Sequence, residues 1–169
     1  MSRPIAVLFL CTHNSARSIL AEALLNQLGH GRFVAHSAGS APRADGRPNP
    51  LALRALQEIG IDTAQLRSKS WDEFRGPQAP PIDLVITVCG NADAICPVFP
   101  GAPASAHWGY ADPGAGDAPE DLKLLAFRRT REQLQRRIDA FVHLPPSALA
   151  PAALEKSARG LAGAQHPGT

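Results

Sequence analysis

The fold is decided by one stretch near the start of the chain, IAVLFLCTHNSARS, residues 5–18. It begins with a continuous apolar run of strand formers, which predicts a strand buried on both faces, as strands of parallel sheets are. A polar loop, residues 11–17, comes next. Residues 18–28 then carry apolar side chains at helical spacing, and Gly29 provides a stop signal. The stretch therefore predicts a strand, a short polar loop and a helix in direct succession.

The rest of the chain repeats this alternation of strands and helices. Further strands are predicted at residues 33–38 and 83–88 and, as a short one, near 104–108. Helices are predicted between Pro50 and Gly60 and over residues 120–143. The alternation favours a single three-layer α/β domain with a mainly parallel four-stranded sheet. Ligands of such sheets bind at the carboxyl ends of the strands.

Two regions receive simpler predictions. The domain is assigned to residues 1–144. Residues 145–169 are predicted to be a flexible tail, disordered or only weakly helical, because they are rich in Ala, Pro and Gly and lack aromatic residues. In the long helix at 120–143, apolar residues occupy one side. The many arginines on the other side are predicted to be solvent-exposed.

Length and composition exclude several classes of protein. With 169 residues, of which 44% are hydrophobic and 19% charged, the chain fits a single soluble globular domain. A net charge of +2 favours neither nucleic acid nor an anionic membrane as a partner. The apolar run at residues 5–10 is too short to span a bilayer. We therefore expect a cytoplasmic protein without a membrane partner, and a monomer is the default expectation.

The chain has three cysteines, Cys11, Cys89 and Cys96. An odd number this small does not suit a disulfide-stapled secreted fold, and in a reducing cytosol the thiols would stay free or take part in redox chemistry. Cys89 and Cys96 are not spaced like zinc ligands, which favour cysteine pairs roughly two to four residues apart with a second pair of ligands. No metal site is therefore predicted.

The loop after the first strand has the composition of an anion site. Cys11 is followed six positions later by Arg17, just before the predicted helix. The N–H groups and the dipole of a helix N-terminus attract a tetrahedral oxyanion, and a guanidinium binds two of its oxygens. The same field stabilises a Cys11 thiolate, to which Ser18 could donate a hydrogen bond. The other residues of this predicted oxyanion site are Thr12, His13, Asn14, Ser15 and Ala16.

The segment CTHNSARS, residues 11–18, resembles the phosphate loop of the low-molecular-weight tyrosine phosphatase superfamily, Cys-x5-Arg followed by Ser or Thr. The resemblance implies that fold, and it implies a general acid in a downstream Asp-Pro pair, here Asp112-Pro113. Taken alone, Asp-Pro is also a common turn pair. Phosphatases of this group usually carry aromatic residues after the pair. Because Gly114 and Ala115 follow here, the pocket would lack the wall that holds a phosphotyrosine ring.

The other two cysteines favour a reductase over a phosphatase, because reducing As(V) to As(III) takes two electrons, which a pair of thiols supplies by forming a disulfide. The segments ITVC at 86–89, CP at 96–97 and HWGYADP at 107–113 are similar to thioredoxin-coupled arsenate reductases, and the similarity covers roughly residues 5–142. It implies that Cys11 is the nucleophile and that Cys89 and then Cys96 carry a disulfide relay to thioredoxin. It also implies arsenate as substrate, phosphate or sulfate as competing oxyanions, and no bound cofactor.

Two other functions fit parts of the pattern. A low-molecular-weight tyrosine phosphatase would need only the oxyanion site and Asp112. A non-catalytic redox sensor would use the same thiols with a protein partner. The reductant is open as well, since glutaredoxin with glutathione, or another small thiol, could replace thioredoxin. Three cysteines at this spacing favour thioredoxin.

A cation site accompanies the phosphate loop in some members of the family, where an Asn, a Glu, a Ser and an Asp hold potassium. Asn14, Glu22 and Ser37 match the first three, but Lys69 aligns with the Asp. The resemblance therefore implies that the Lys69 ammonium group replaces the metal ion near Glu22. The alternative is an exposed lysine in a connecting segment.

Overall fold

The computed structural model describes residues 3–90 and 98–162 of the chain. Its sheet has four strands, all parallel, in the order β2-β1-β3-β4. The strands are β1 (Ile5–Cys11), β2 (Phe33–Gly39), β3 (Leu84–Thr87) and β4 (Ser105–His107). The predicted α/β class and the parallel four-stranded sheet are confirmed. β1 lies in the interior of the sheet, which explains why it is apolar on both faces.

Helices cover the two faces of the sheet unequally. The helices are α1 (Arg17–Leu28), α2 (Pro50–Gln57), α3 (Glu120–Val142), α4 (Pro146–Leu149) and α5 (Pro151–Ala162), with a 3-10 helix at Trp71–Phe74. Val7 and Phe9 of β1 point into the large core that contains residues of α1, α2, α3 and α5. Leu8 and Leu10 point to the opposite face, into a small core with Phe74 of the 3-10 helix. The third layer is therefore thin.

The buried side of α3 differs from the prediction. Leu122 and Leu125, expected to face the core, are 54% and 44% exposed. Arg131 and Arg137, expected in solvent, are only 8% and 3% exposed, so the prediction is wrong for both. Their guanidinium groups donate to backbone carbonyls, Arg131 to Ala55 at 2.7 Å and Arg137 to Ala162 at 3.4 Å. Burial of an arginine is tolerated when such acceptors are present.

The predicted flexible tail is corrected for residues 146–162, which form α4 and α5. Leu154 and Ala158 are buried in the large core, four residues apart on one side of α5. Pro151 occupies the start of α5, where proline is well tolerated. The Ala-, Pro- and Gly-rich composition suggested a tail, although Leu154 and Ala158 have the spacing of an apolar helix face. Among the described residues, no helix is both long and apolar enough to cross a bilayer.

Candidate active site

The polar loop lies at the carboxyl edge of the sheet, in the position expected for a ligand site. Cys11 is the last residue of β1 and Arg17 is the first residue of α1. Both side chains are buried. The loop thus joins an interior strand directly to the N-terminus of a helix.

Neighbouring segments hold this loop by its backbone carbonyls. Three carbonyls accept hydrogen bonds from outside the loop: Thr12 from the N–H of Ala41 at 2.8 Å, His13 from the hydroxyl of Ser68 at 2.9 Å, and Ser15 from the N–H of Asn49 at 2.8 Å. Because a trans peptide unit is planar, the N–H that follows each carbonyl points the opposite way. The N–H groups of His13, Asn14 and Ala16 therefore face away from these partners. This is the arrangement from which backbone anion sites are made.

The Cys11 thiol has a hydroxyl group beside it, since its Sγ lies 2.9 Å from Oγ of Ser18. The side-chain amide of Asn14 donates to the same hydroxyl oxygen at 2.8 Å. Since that amide nitrogen can only donate, the hydrogen of Ser18 is left to donate to sulfur. Hydrogen bonding to sulfur favours the thiolate over the thiol. Asn14 holds a left-handed φ of 50°, which asparagine tolerates better than most residues.

The guanidinium of Arg17 connects the loop to the segment that carries Asp112. Its Nη1 donates to the carbonyl of Tyr110 at 2.9 Å. Asp112 follows two residues later on the exposed surface, and its Oδ1 accepts from the N–H of Gly114 at 2.9 Å. A carboxylate held in such a turn keeps its second oxygen available. The structure thus brings the predicted acid to the loop of the predicted nucleophile through Tyr110.

Close backbone contacts at two glycines make this arrangement compact. A β-carbon at residue 39 would lie 2.5 Å from the carbonyl oxygen of Thr12. A β-carbon at residue 90 would lie 2.6 Å from the carbonyl oxygen of Tyr110. Any side chain at Gly39 or Gly90 would therefore displace the Cys11 loop or the Asp112 segment.

Cys89 is a second buried thiol near the first. It follows β3 closely, and the N–H of Val88 donates to the carbonyl of Leu10 at 3.0 Å. This pairing continues the parallel register of Leu10 with Thr87, which brings Val88 opposite Cys11. Cys89 follows one residue later, so both thiols belong to the carboxyl ends of neighbouring strands. Both side chains are buried, Cys11 at 3% and Cys89 at 0% exposure. The third predicted thiol, Cys96, lies outside the described residues.

The four residues of the predicted cation site form one cluster. The ammonium group of Lys69 lies 3.5 Å from the carboxylate of Glu22, which also accepts a hydrogen bond from Ser37. The N–H of Lys69 donates to Oδ1 of Asn14 at 2.9 Å. Burial raises the pKa of Glu22 and lowers the pKa of Lys69, and the attraction between the two charges opposes both shifts. Lys69 is 8% exposed, so it is not a surface lysine.

Several supporting residues escaped the sequence analysis. Ser68 and Asn49 hold the Cys11 loop from the outside, and Tyr110 and Arg137 support the Asp112 segment. Asn49 had a signal, because Asn before Pro is a helix start, and its side chain caps α2. The other three had none, since their contacts join residues far apart in the chain.

Comparison with known proteins places the whole arrangement in one family. The model of the low molecular weight phosphotyrosine protein phosphatases matches residues 6–158. An arsenate reductase of Halalkalibacterium halodurans is 37% identical over 135 residues, which are 80% of this chain and 93% of that protein.

Solved structures agree with this assignment. An arsenate reductase from Archaeoglobus fulgidus superposes with a TM-score of 0.66 and 30% identity, over 82% of this chain and 99% of the other. A thioredoxin-dependent arsenate reductase from Corynebacterium glutamicum gives a TM-score of 0.52 with 31% identity, over 82% of this chain and 64% of that one. The fold and the resemblance expected from the sequence are thereby confirmed.

Proposed function

The chain belongs to the low-molecular-weight phosphotyrosine protein phosphatase family, and on that premise we propose that it reduces arsenate to arsenite. One observation carries the proposal: two buried cysteines, Cys11 at the end of β1 and Cys89 just beyond the end of the neighbouring β3, lie at the same edge of the sheet, and the first lies in an oxyanion loop. Ester hydrolysis needs one nucleophilic thiol. A second thiol beside the first supplies what a two-electron reduction requires.

The first step is a displacement at arsenic. Arsenate binds against the N–H groups of the loop and the guanidinium of Arg17, as phosphate or sulfate also would. The Cys11 thiolate attacks the arsenic atom, so that an As–S bond forms and one As–O bond breaks. Asp112 gives its proton to the departing oxygen, which leaves as water.

The second step transfers the electrons. The Cys89 thiolate attacks Sγ of Cys11, forming a Cys11–Cys89 disulfide and breaking the As–S bond. The electron pair of that bond stays with arsenic, which departs as arsenite. Two thiolates have lost two electrons, and As(V) has gained them. A disulfide requires Cα atoms roughly 4.4–6.8 Å apart. The position of Cys89 just after the register partner of Cys11 supports the proposed pairing.

The third step returns Cys11 to its thiolate form. Cys96 attacks Cys89, Cys11 leaves as a thiolate, and a Cys89–Cys96 disulfide results. A dithiol protein of the thioredoxin type then reduces this disulfide by exchange, without any cofactor bound to the chain. The similarity to the thioredoxin-dependent reductase of Corynebacterium glutamicum supports that choice of reductant. Thioredoxin action would place the protein in the reducing cytoplasm.

The Lys69 cluster suggests how the loop is supported without a metal ion. We assign to the ammonium group the role that potassium has in some family members, because it lies within 3.5 Å of Glu22 and its backbone is bonded to Asn14. Asn14 in turn donates to the hydroxyl beside Cys11. Added potassium should then leave wild-type stability and phosphate affinity equal to those measured in sodium. A marked gain in either with potassium would refute the assignment.

The test of the function follows arsenite formation and NADPH oxidation in the presence of thioredoxin and thioredoxin reductase. The wild-type protein should turn over many times, and Cys11→Ser should be inactive. Cys96→Ser should release one arsenite per molecule and stop with a Cys11–Cys89 disulfide, detectable by mass spectrometry. Sustained turnover of Cys96→Ser with thioredoxin would refute the relay. Replacing thioredoxin by glutaredoxin and glutathione identifies the reductant.

The same preparation separates the competing functions. Hydrolysis of an aryl phosphate without thiols, in the absence of arsenite formation, would indicate a tyrosine phosphatase. Neither activity would indicate a redox sensor. Slow aryl phosphate hydrolysis alongside fast arsenate reduction agrees with the proposal, because both reactions use the Cys11 loop and Asp112.

A further inference from the structure

The helix α5 is packed onto the edge of the sheet beside the active-site segment. Its side chains bracket Ser105 of β4: the carboxylate of Glu155 accepts from the N–H of Ser105, and Arg159 donates to the carbonyl of Ser105, both at 2.9 Å. These bonds satisfy the backbone of an edge strand, which would otherwise stay open for pairing. α5 thus continues the domain rather than trailing from it.

α5 also supplies hydrogen-bond acceptors to two buried side chains that lie behind the Asp112 segment. The indole N–H of the fully buried Trp108 donates to the carbonyl of Ala158 at 2.9 Å. The guanidinium of Arg137 donates to the carbonyl of Ala162 at 3.4 Å.

Arg137 in turn holds two aromatic rings. Its guanidinium carbon lies 5.6 Å from the ring centre of Trp108 and 5.0 Å from that of Tyr110. Burial lowers the pKa of Arg137, while burial raises the pKa of Tyr110 to about 12, so the ring stays neutral at physiological pH. A buried guanidinium packed against aromatic faces is well stabilised and geometrically defined.

Tyr110 links this packing to the reacting groups. Its carbonyl accepts from Arg17 at 2.9 Å, and Asp112 follows two residues later. The backbone of Gly90 packs closely against the same carbonyl, since a β-carbon at residue 90 would lie 2.6 Å from its oxygen. A shift of the Tyr110 ring would therefore move the partner of Arg17 and the acid together.

We propose that α5 is a positioning element of the active site, which acts through Trp108 and Arg137 to hold Tyr110, and thereby aligns Arg17 and the loop of Asp112. The proposal rests on the proposed function for its chemistry, but the alignment of Arg17 can be measured without it. In this proposal Arg137 is a positioning residue, which acts through Tyr110 and Trp108. Misplacing reacting groups by about 1 Å can lower a rate by about 100-fold, so a modest loosening has a measurable effect.

Arg131 provides a matched control on the same helix. It too is a nearly buried arginine of α3, but it donates to the carbonyl of Ala55 in α2, at 2.7 Å. Removing either guanidinium takes a hydrogen-bond donor away from a backbone carbonyl, that of Ala55 or that of Ala162. Arg131→Met should therefore destabilise the fold as Arg137→Met does, without loosening the support of Tyr110.

The experiment uses the full-length chain and four variants: Arg137→Met, Arg137→Lys, Ala158→Asp and Arg131→Met. Ala158→Asp places a charge at a position with no exposure and should undock α5 while the rest of the chain stays intact. Three quantities are measured for each: the single-turnover rate of arsenite release, the affinity for inorganic phosphate by calorimetry, and the urea unfolding midpoint. Only variants that unfold cooperatively are compared.

Arg137→Met and Ala158→Asp should lower the single-turnover rate by about 10-fold to 100-fold and weaken phosphate binding by about 10-fold. Arg137→Lys should recover part of both, because it keeps the cation. Arg131→Met should stay within about twofold of wild type at equal loss of stability. If Arg137→Met and Ala158→Asp match Arg131→Met in rate and phosphate affinity, the proposal is overturned.

Failure of the proposed function has a different signature. A wild-type protein that forms no arsenite, yet whose phosphate affinity falls in Arg137→Met and Ala158→Asp but not in Arg131→Met, would refute arsenate reduction and leave the positioning role supported. If the wild type reduces arsenate but the variants do not differ from one another, arsenate reduction is supported and the positioning role of α5 is refuted.

Discussion

The Cys11 loop and the Asp112 segment meet at the same edge of the sheet but are held in different ways. The Cys11 loop is surrounded by its supports, which bond to its carbonyls and to Asn14 from the segments at 41–49 and 68–69. The Asp112 segment has a side-chain turn of its own, to Gly114, receives the Arg17 hydrogen bond at Tyr110, and is held from behind by α3 and α5. The first is fixed locally and the second is fixed at a distance.

This difference predicts which substitutions should affect the Cys11 loop, which should affect the Asp112 segment, and which should affect both. A change in the supports of the Cys11 loop acts on oxyanion binding and on the thiolate. A change behind Tyr110 acts on the acid first. Arg17 belongs to both, because it begins α1 at the end of the Cys11 loop and bonds to the carbonyl of Tyr110.

Arg17→Lys should therefore have the largest effect. Lysine keeps the charge but loses the planar fork that can bind an oxyanion and the Tyr110 carbonyl together. We expect kcat/KM for arsenate to fall by about 1,000-fold and phosphate affinity to fall with it. The exposed Arg75→Lys serves as control and should behave as wild type. A loss of less than about tenfold would show that the two parts of the site do not depend on this shared residue.

Asp112→Asn should lower the single-turnover rate by about 100-fold while leaving phosphate affinity unchanged. The amide oxygen can still accept from the N–H of Gly114, so the turn is preserved, but no proton is available for the departing oxygen. Stopped-flow measurement of arsenite release, beside phosphate calorimetry, tests this. Weakened phosphate binding in this variant would show that Asp112 also contributes to oxyanion binding, so that the acid and the Cys11 loop do not act separately.

The same contrast explains how far the sequence could be interpreted. The Cys11 loop is contiguous, so its strand and its helix start were predictable from residues 5–18, and the same stretch supplied the proposed nucleophile. Lys69 was placed correctly near Glu22, because the resemblance supplied a position for it. The resemblance also pointed to Asp112, but nothing near it in the sequence indicates what holds its loop.

The sequence-based predictions were wrong mainly for α3 and α5, the helices that support the Asp112 segment from behind. Arginines on an amphipathic helix are normally solvated, so the burial of Arg137 depends on carbonyl and aromatic partners that only the folded chain brings together. The segment at 146–162 was mistaken for a tail because its apolar positions are widely spaced and its composition is small and turn-rich. The burial of Trp108 against α5 is a tertiary contact, which the hydrophobic periodicity of the sequence cannot predict.

Lys69→Met should act on the Cys11 side alone, mainly through stability. It leaves the Glu22 carboxylate buried without its cation, which should cost about 3 kcal/mol at neutral pH. Because burial raises the pKa of Glu22 above 4.5, the carboxyl is protonated at low pH and carries no such cost. The deficit should thus be smallest below pH 4.5 and grow as pH rises through the Glu22 pKa.

Urea unfolding across this pH range measures the deficit, and the double variant Glu22→Gln with Lys69→Met provides the control. It removes both charges and should recover much of the lost stability. If Lys69→Met unfolds at the wild-type urea concentration at every pH, the ion pair does not support the Cys11 loop.

Glu58→Gln should have the smallest effect on activity. The residue takes part in ion pairs between α2 and α3 and contacts neither the Cys11 loop nor the Asp112 segment in the bonds described above. Glu58 at the end of α2 pairs with Arg128 and Arg131 of α3, and the Arg128 bond lowers the pKa of Glu58 from 4.5 to about 2. A carboxyl with a lowered pKa stabilises the fold above pH 4.5 and loses that contribution as pH falls toward 2. The stability advantage of the wild type over Glu58→Gln should therefore shrink over this range.

Since the pair lies at the surface, high salt should reduce this stability advantage at neutral pH as well. Arsenate turnover and phosphate affinity should stay at wild-type values, and a change in either would mean that α2 and α3 transmit strain between the Cys11 loop and the Asp112 segment.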